Sequence, residues 1–322
     1  MVRHSLALAI AAAMVAGTAA AETLEFTAGD VGGVWYTTAA GVAQLVQEKQ
    51  RDLLVKAVPG GGVANPAKLQ NGVSQLGLVQ SIFATAAVRG TTPFDGKPHG
   101  NLRLVAQGLA KNYIHHLRPR GDGKTLADLI KGRGASIALP RSGSTDEYTF
   151  RFAMRHYGAT YDTIRQAGGK IVQADYGDIA NAFKDGQVDA AFVLLGIPGA
   201  AVIDAAQGRA AELAPLPAPL IDHLVATYGY TRGAVPAGTY PSLQAGDVAT
   251  VLTSTSLYSS AAVGEETVYR IVRTICENAA RLPDIHKSMA GFACVRGEAT
   301  GDGSVPLHAG ALRYFKEIGI AS

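Results

Sequence analysis

The chain has 322 residues, of which 48% are hydrophobic and 17% charged. That balance supports sizeable cores and argues against disorder, and the length suits two domains of ~150 residues each or one large one. A net charge of +3, with the Lys and Arg residues scattered rather than in runs, argues against a nucleic-acid partner.

The N-terminus reads as an export signal. Arg3 and His4 precede an apolar run over residues 6–15 that is too short to span a membrane. Ala19-Ala20-Ala21 fits the small-x-small rule, so cleavage is expected after Ala21 and the mature chain is expected to be soluble. Cys276 and Cys294 are the only cysteines. In an oxidising compartment they form one bridge or stay as two buried thiols. Neither sits in CxxC or beside a His at ligand spacing, so no metal or redox centre is expected.

Residues 24–28 alternate like a half-buried strand, and residues 37–49 carry Ala39, Val42, Ala43, Leu45 and Val46 at helical spacing. Between them residues 29–36, GDVGGVWY, form a glycine-rich turn into a helix N-terminus. Free N–H groups there favour an anion. Gly32 and Gly33 keep the turn open, and Trp35 and Tyr36 shape its wall; the bland alternative is a tight turn over a buried Trp. The spacing is not GxGxxG and no P-loop Lys follows, which disfavours a nucleotide. Residues 53–58 form a strand, followed by the loop Pro59-Gly60-Gly61-Gly62. Asn65-Pro66 reads as an N-cap and first helical residue, with Gly72 ending that helix. Residues 76–79 are a buried strand, Gln80 and Ser81 lie just past it, and residues 82–89 are helical. This alternation marks an α/β sheet with crossovers, in which ligands bind beyond the strand C-terminal ends.

Farther on, residues 102–109 and 114–118 read as two strands. Thr125 caps a helix, residues 135–139 are a strand, and a small-residue turn over residues 140–145 leads into a helix over 146–157. A strand over 170–173 and a helix over 176–184 follow. Residues 71–79 and 185–193 then share one form at equal spacing: helix end, Gly, polar residue, buried strand. Two similar α/β lobes facing across a cleft, with hinge closure over a small ligand, follow from that pattern. Past it come a helix over 220–228, a Thr/Ser-rich strand over 248–257, a strongly amphipathic helix over 265–281 and a last helix over 311–318.

Several stretches, in order along the whole mature chain, resemble the TAXI solute-binding proteins, the periplasmic receptors of one branch of the TRAP transporters. They are GDVGGVWY, PGGGVANPAKL, QLGLVQS, PRSGST, DGQVDAAFVLLGIPGAAV, VPAGTYP and VPLHAGALRYFKEIG. The resemblance implies a type II periplasmic binding protein fold. Residues 22–112 with 232–322 would form one α/β lobe and residues 113–231 the other. It implies capture of a small organic anion, a carboxylate, dicarboxylate or acidic amino acid such as glutamate, and delivery to an ion-driven membrane permease. It implies a monomer, without cofactor or metal. Carried over by position, the ligand contacts would be Val34, Trp35, Tyr36, Gly61, Gly62, Asn65, Gln80, Ser81, Ser142, Gly143, Ser144 and Thr145. His115 on a lobe-crossing strand and Gly196 and Pro198 in the loop after DGQVDAAFV complete the set. Trp35 stands where Tyr is usual, Arg141 where Gly is usual, Asn112 where an acidic residue is common, and Gln75 where Asp is expected.

Arg141, at the mouth of a strand-to-helix turn, is placed to fork onto a ligand carboxylate; its bland alternative is a surface Arg. An enzyme on the same fold finds little support: Ser142-Gly143-Ser144 is not GxSxG, and His115-His116 lacks metal-site spacing. A sensor subunit docking to a membrane signalling receptor is the remaining alternative.

Overall fold

The computed structural model describes residues 22–322 except Asp30, Gly32 and Gly33. Cleavage after Ala21 and the role given to Gly32 and Gly33 therefore lie outside the described residues. In chain order the elements are β1 (Glu22–Thr27), α1 (Val34–Lys49), β2 (Leu53–Val58), α2 (Ala64–Gln70), β3 (Leu76–Gln80), α3 (Ser81–Arg89), β4 (Leu102–Pro119), α4 (Leu126–Lys131), β5 (Ser136–Leu139), α5 (Thr145–His156), α6 (Tyr161–Gln166), β6 (Lys170–Gln173), α7 (Tyr176–Lys184) and β7 (Ala190–Leu195). They continue with α8 (Ala200–Ala205), β8 (Ala211–Leu213), α9 (Ala218–Tyr228), β9 (Thr231–Val235), β10 (Val248–Ser260), α10 (Glu265–Glu277), α11 (Leu282–Ile285) and α12 (Ala309–Glu317).

The strands pair in the order β2-β1-β3-β10-β4-β7-β5-β6, with β8 on β4 and β9 on β10. β1 runs parallel to β2 and β3, and β5 parallel to β6 and β7. Each half thus places its first strand between the next two, and the antiparallel pair β10 and β4 joins the halves. The repeat read in the sequence is the wiring of this symmetry. Gln75 donates its N–H to Glu25 O and accepts the Glu25 N–H on its side chain. Asp189 does the same with Ser136 O and N. Gln75 therefore performs the role for which an Asp was expected.

Two strands cross between the halves. Residues 102–119, expected as two strands, are one strand of 18 residues. Gly108 at φ 78° and the polar pair Lys111-Asn112 interrupt the apolar pattern; Lys111 and Asn112 stay paired with Ser254 and Thr253, while Gly108 lies in a bulge and gives its N–H to Ser256 Oγ. The extra residues of the bulge are on β4, where Leu104, Ala106 and Ala110 pair with Tyr258, Leu257 and Thr255. Tyr113 pairs with Leu252 of β10 and Leu195 of β7, so β4 changes partner there. β10 pairs with β3 over Thr255–Ser259 and with β9 over Val248–Leu252.

One core packs α1, α10 and α12 on the first half through Phe26, Val42, Leu45, Ile271, Ile275 and Phe315. A second spans both halves through Phe83, Phe150, Phe192 and Leu220, and a third packs α7 and α8 on the far half around Phe183 and Val193. α10 buries Val268, Ile271, Val272 and Ile275, as its stripe predicts, and ends at Glu277, with a 3₁₀ turn over Ala279–Arg281. Cys276 and Cys294 form a disulfide with a Cα–Cα distance of 5.6 Å. It spans 18 residues and, on the chain-entropy account, stabilises by about 3 kcal/mol.

β4 also carries two buried histidines. His115 was expected to touch ligand; it is fully buried and both ring nitrogens are spent. Nδ1 lies 2.9 Å from Tyr113 O, and Nε2 accepts the Tyr240 hydroxyl at 2.9 Å, which itself accepts Gly199 N–H. It is a core histidine that ties β4 to the PAGTYP segment. His116 is buried with neither nitrogen partnered. Burial pushes His115 down to about 4 and His116 to about 3, while burial raises Asp146 to about 6. The folded histidines stay neutral while the unfolded ones protonate below pH ~6.5, so their contribution is lost as pH falls. Asp146 acts oppositely: its contribution is present at low pH and lost as pH rises through about 6. Two groups against one predict a net loss of about 3 kcal/mol between pH 7 and pH ~4.5. Urea unfolding at the two pH values should show it, and His116→Phe should remove roughly half of the histidine share. Equal stability at both pH values would contradict this assignment.

Candidate functional site

The parallel strands of the first half end together, and Asn65 rivets their exits. Its Oδ1 accepts Gly61 N–H and the Thr27 hydroxyl, each at 2.9 Å; its Nδ2 donates to Ala28 O at 2.6 Å and Leu78 O at 2.8 Å. The N-cap of α2 is Val63, and Asn65 lies inside the first turn. Fully buried and with its hydrogen-bonding capacity used, Asn65 shapes the site and has nothing left for a ligand, which corrects both readings of it. Gly60 must be small here, since a Cβ would sit 2.1 Å from Asn65 Oδ1.

α1 begins at Val34, so Trp35 and Tyr36 lie in its first turn rather than in the loop before it. Val34 is exposed, and the Tyr36 hydroxyl reaches Ala57 O at 3.4 Å. Trp35 Nε1–H donates to Thr255 Oγ1 at 3.1 Å. Gln80 Nε2 and Asn112 Nδ2 face the same oxygen at 3.2 and 2.7 Å. Beside them Ser81 Oγ lies 3.1 Å from Thr253 Oγ1 and 3.4 Å from Ser254 Oγ. The middle of β10 is therefore the floor of the site. Thr255 was missed because its partners come from α1, β3 and β4. The available signal was the run of hydroxyls TSTS in a strand that the topology makes central.

The second half brings the turn after β5. Ser144 caps α5 by accepting Glu147 N–H at 3.1 Å. Glu147 is fully buried; its carboxylate accepts Gly143 N–H, Arg151 Nε–H and the Tyr161 hydroxyl. The anion-binding position that Gly143 was expected to offer is thus filled by the chain's own carboxylate. Ser142 is exposed, and Arg141 is an exposed surface residue paired with Asp175 at 2.9 Å. Thr145 is the residue of this turn that reaches across. A Cβ built on Gly62 would lie 2.9 Å from Thr145 Oγ1 and 3.2 Å from Thr145 N. Next to that contact Phe83 of α3 and Tyr148 of α5 stack edge-to-face with centroids 5.5 Å apart. A second crossing lies at Gly196, where a Cβ would meet Ser288 Cβ at 2.7 Å. Pro198 is exposed and follows a cis peptide bond.

The site is thus a seam between two α/β halves, floored by crossing strands, with amide, indole and hydroxyl groups converging on one threonine. Among the described residues no group of three or more His, Cys, Asp or Glu is placed to hold a metal ion. Two linked α/β halves whose strand exits face each other across crossing strands define the fold of periplasmic solute-binding proteins. Similarity to solved structures agrees. An ATP-bound protein of Xanthomonas citri, XAC2383, aligns at 11% identity and TM-score 0.51, covering 92% of this chain and 95% of that one. An ABC-type phosphate transport receptor of Vibrio cholerae aligns at 10% identity and TM-score 0.50, covering 82% and 98%. At such identities the likeness concerns the fold alone. Residues 26–319 match the NMT1-like family, and the chain belongs to that family.

Proposed function

We propose that this protein is an exported receptor that closes its two halves over a small organic anion and hands it to a TRAP-type, ion-driven membrane permease. The observation that carries the reading is the seam itself. Neutral polar side chains of Trp35, Gln80, Asn112 and Thr255 gather on its floor, and the first turn of α5 at Thr145 faces Gly62 across it. Neutral N–H groups and helix N-termini bind carboxylates without a fixed cation. The ordered TAXI-like motifs and the family membership support the transporter branch, and the disulfide suits an oxidising compartment such as the periplasm.

In this reading β4 and β10 are the hinge. The changes of partner at Tyr113 and near Thr253 mark where one lobe passes into the other. On this proposal the first lobe ends at residues 112–113 within β4 and the chain returns to it within β10. The ligand enters while the lobes are apart, and contacts from both lobes then favour the closed form, which docks on the permease. The gathered groups are suited to holding a ligand rather than to moving protons. A melting-shift screen of organic acids and amino acids, with nucleotides and sugars alongside, tests the class. Acids should raise Tm. A large shift with a nucleotide or sugar and none with any acid would overturn the reading.

A further inference from the structure

The Thr255 node contains one polar atom that its protein neighbours leave unanswered. Gln80 is 2% exposed, and its Oε1 is buried without a hydrogen-bond partner. A hydroxyl has two lone pairs and one proton, yet three nitrogens face Thr255 Oγ1. Only two of them can donate. The separations of 3.1 Å to Trp35 and 3.2 Å to Gln80 suit N–H···O bonds, whereas 2.7 Å to Asn112 is the usual length of an O–H···O bond. Half a turn of the Asn112 amide exchanges its oxygen and nitrogen without changing its shape. Thr255 then gives its proton to Asn112 and accepts from Trp35 and Gln80, and the hydroxyl is fully used. This arrangement pins the Gln80 nitrogen on Thr255 and leaves Oε1 as a fixed acceptor without a donor.

We propose that the ligand supplies that donor: the acid held in the seam carries a hydroxyl or amino hydrogen that Gln80 Oε1 accepts, with Thr255 as the residue that sets the Gln80 orientation. The inference rests on the reading of the seam as an acid receptor and narrows it. A plain dicarboxylate or a keto acid offers only acceptors and would set lone pair against lone pair at Gln80. A hydroxy acid or an amino acid satisfies the buried carbonyl. A site built around such a bond rejects the analogue that lacks the hydrogen, because the buried group is then left unpaired.

Three pairs of probes matched in carbon skeleton test this on the natural protein: L-malate against succinate, L-lactate against pyruvate, and L-glutamate against glutarate. Binding is read by calorimetry and by the fluorescence of Trp35, the only tryptophan in the chain. In any pair that binds, the donor-bearing member should be at least about 10-fold tighter. Gln80→Met should bring the two members to within about 3-fold, Thr255→Ser should keep the preference, and Thr255→Val should weaken it. Equal affinities within the pairs, or a preference for the donor-free member, would overturn the proposal while leaving an acid receptor standing. Absence of binding by all six acids would overturn the acid reading and the proposal with it.

Discussion

Replacing Asn65 by Ala is expected to destabilise the chain by about 4 kcal/mol, a large loss for one side chain. Four hydrogen bonds disappear, and Ala28 O and Leu78 O lose their Asn65 donor inside the protein. A buried acceptor without a donor costs about 1–3 kcal/mol, and the vacated volume adds to it. Asn65→Asp should be worse still, because a carboxylate would point at two carbonyl oxygens from a fully buried position. Urea unfolding followed by circular dichroism measures both. If Asn65→Ala cost less than about 1 kcal/mol, Asn65 would not be the rivet described. Because Asn65 ties the exits of β1 and β3 to the loop after β2, ligand affinity should fall along with stability.

Gly62→Val is expected to show the opposite split: on the order of 100-fold weaker ligand binding with little change in unfolding stability. Gly62 is absent from the left-handed region of φ, so a side chain strains nothing in the loop itself. What it meets is Thr145 across the seam, at 2.9 Å to Oγ1 and 3.2 Å to N, together with Phe83 Cε2 at 3.1 Å. Parting the halves relieves the Thr145 contacts, whereas the Phe83 ring, on the same half as Gly62, must shift by a few tenths of an ångström in place. The larger cost therefore falls on the closed form. A titration followed by Trp35 fluorescence, with solution scattering to report the opening, reads the effect. Unchanged affinity would mean that the Gly62–Thr145 contact is not part of ligand-linked closure. Gly196→Ala, facing Ser288 on the other side, should act in the same direction and more weakly.

The alternation of short strands and helices, the glycine turns between them and the repeat around Gln75 and Asp189 were all legible in the amino-acid order. Each depends on interactions within a few residues or on a local period: apolar spacing of 2 or 3.6, a Gly at a helix end, a Ser or Thr at a cap. The loops that meet at the seam were legible for the same reason, since parallel strands must all deliver their exits to one edge. Which residues in those loops are free to bind was decided by the tertiary structure. Asn65, His115 and Gly143 look available in sequence, and each is consumed by a partner. Arg141 looks poised in sequence, and folding sets Asp175 of the next strand exit beside it. The continuity of β4 through Gly108 and Lys111-Asn112 was hidden because a crossing strand turns polar where it meets the seam, which breaks the apolar run that marks a strand. Thr255 was hidden most deeply. Its Asn112, Gln80 and Trp35 partners stand 143, 175 and 220 residues away in the chain, and only the order of strands brings them to one oxygen. Local spacing determines what each segment becomes, while a hydrogen-bond balance sheet closes only when distant segments share the same volume.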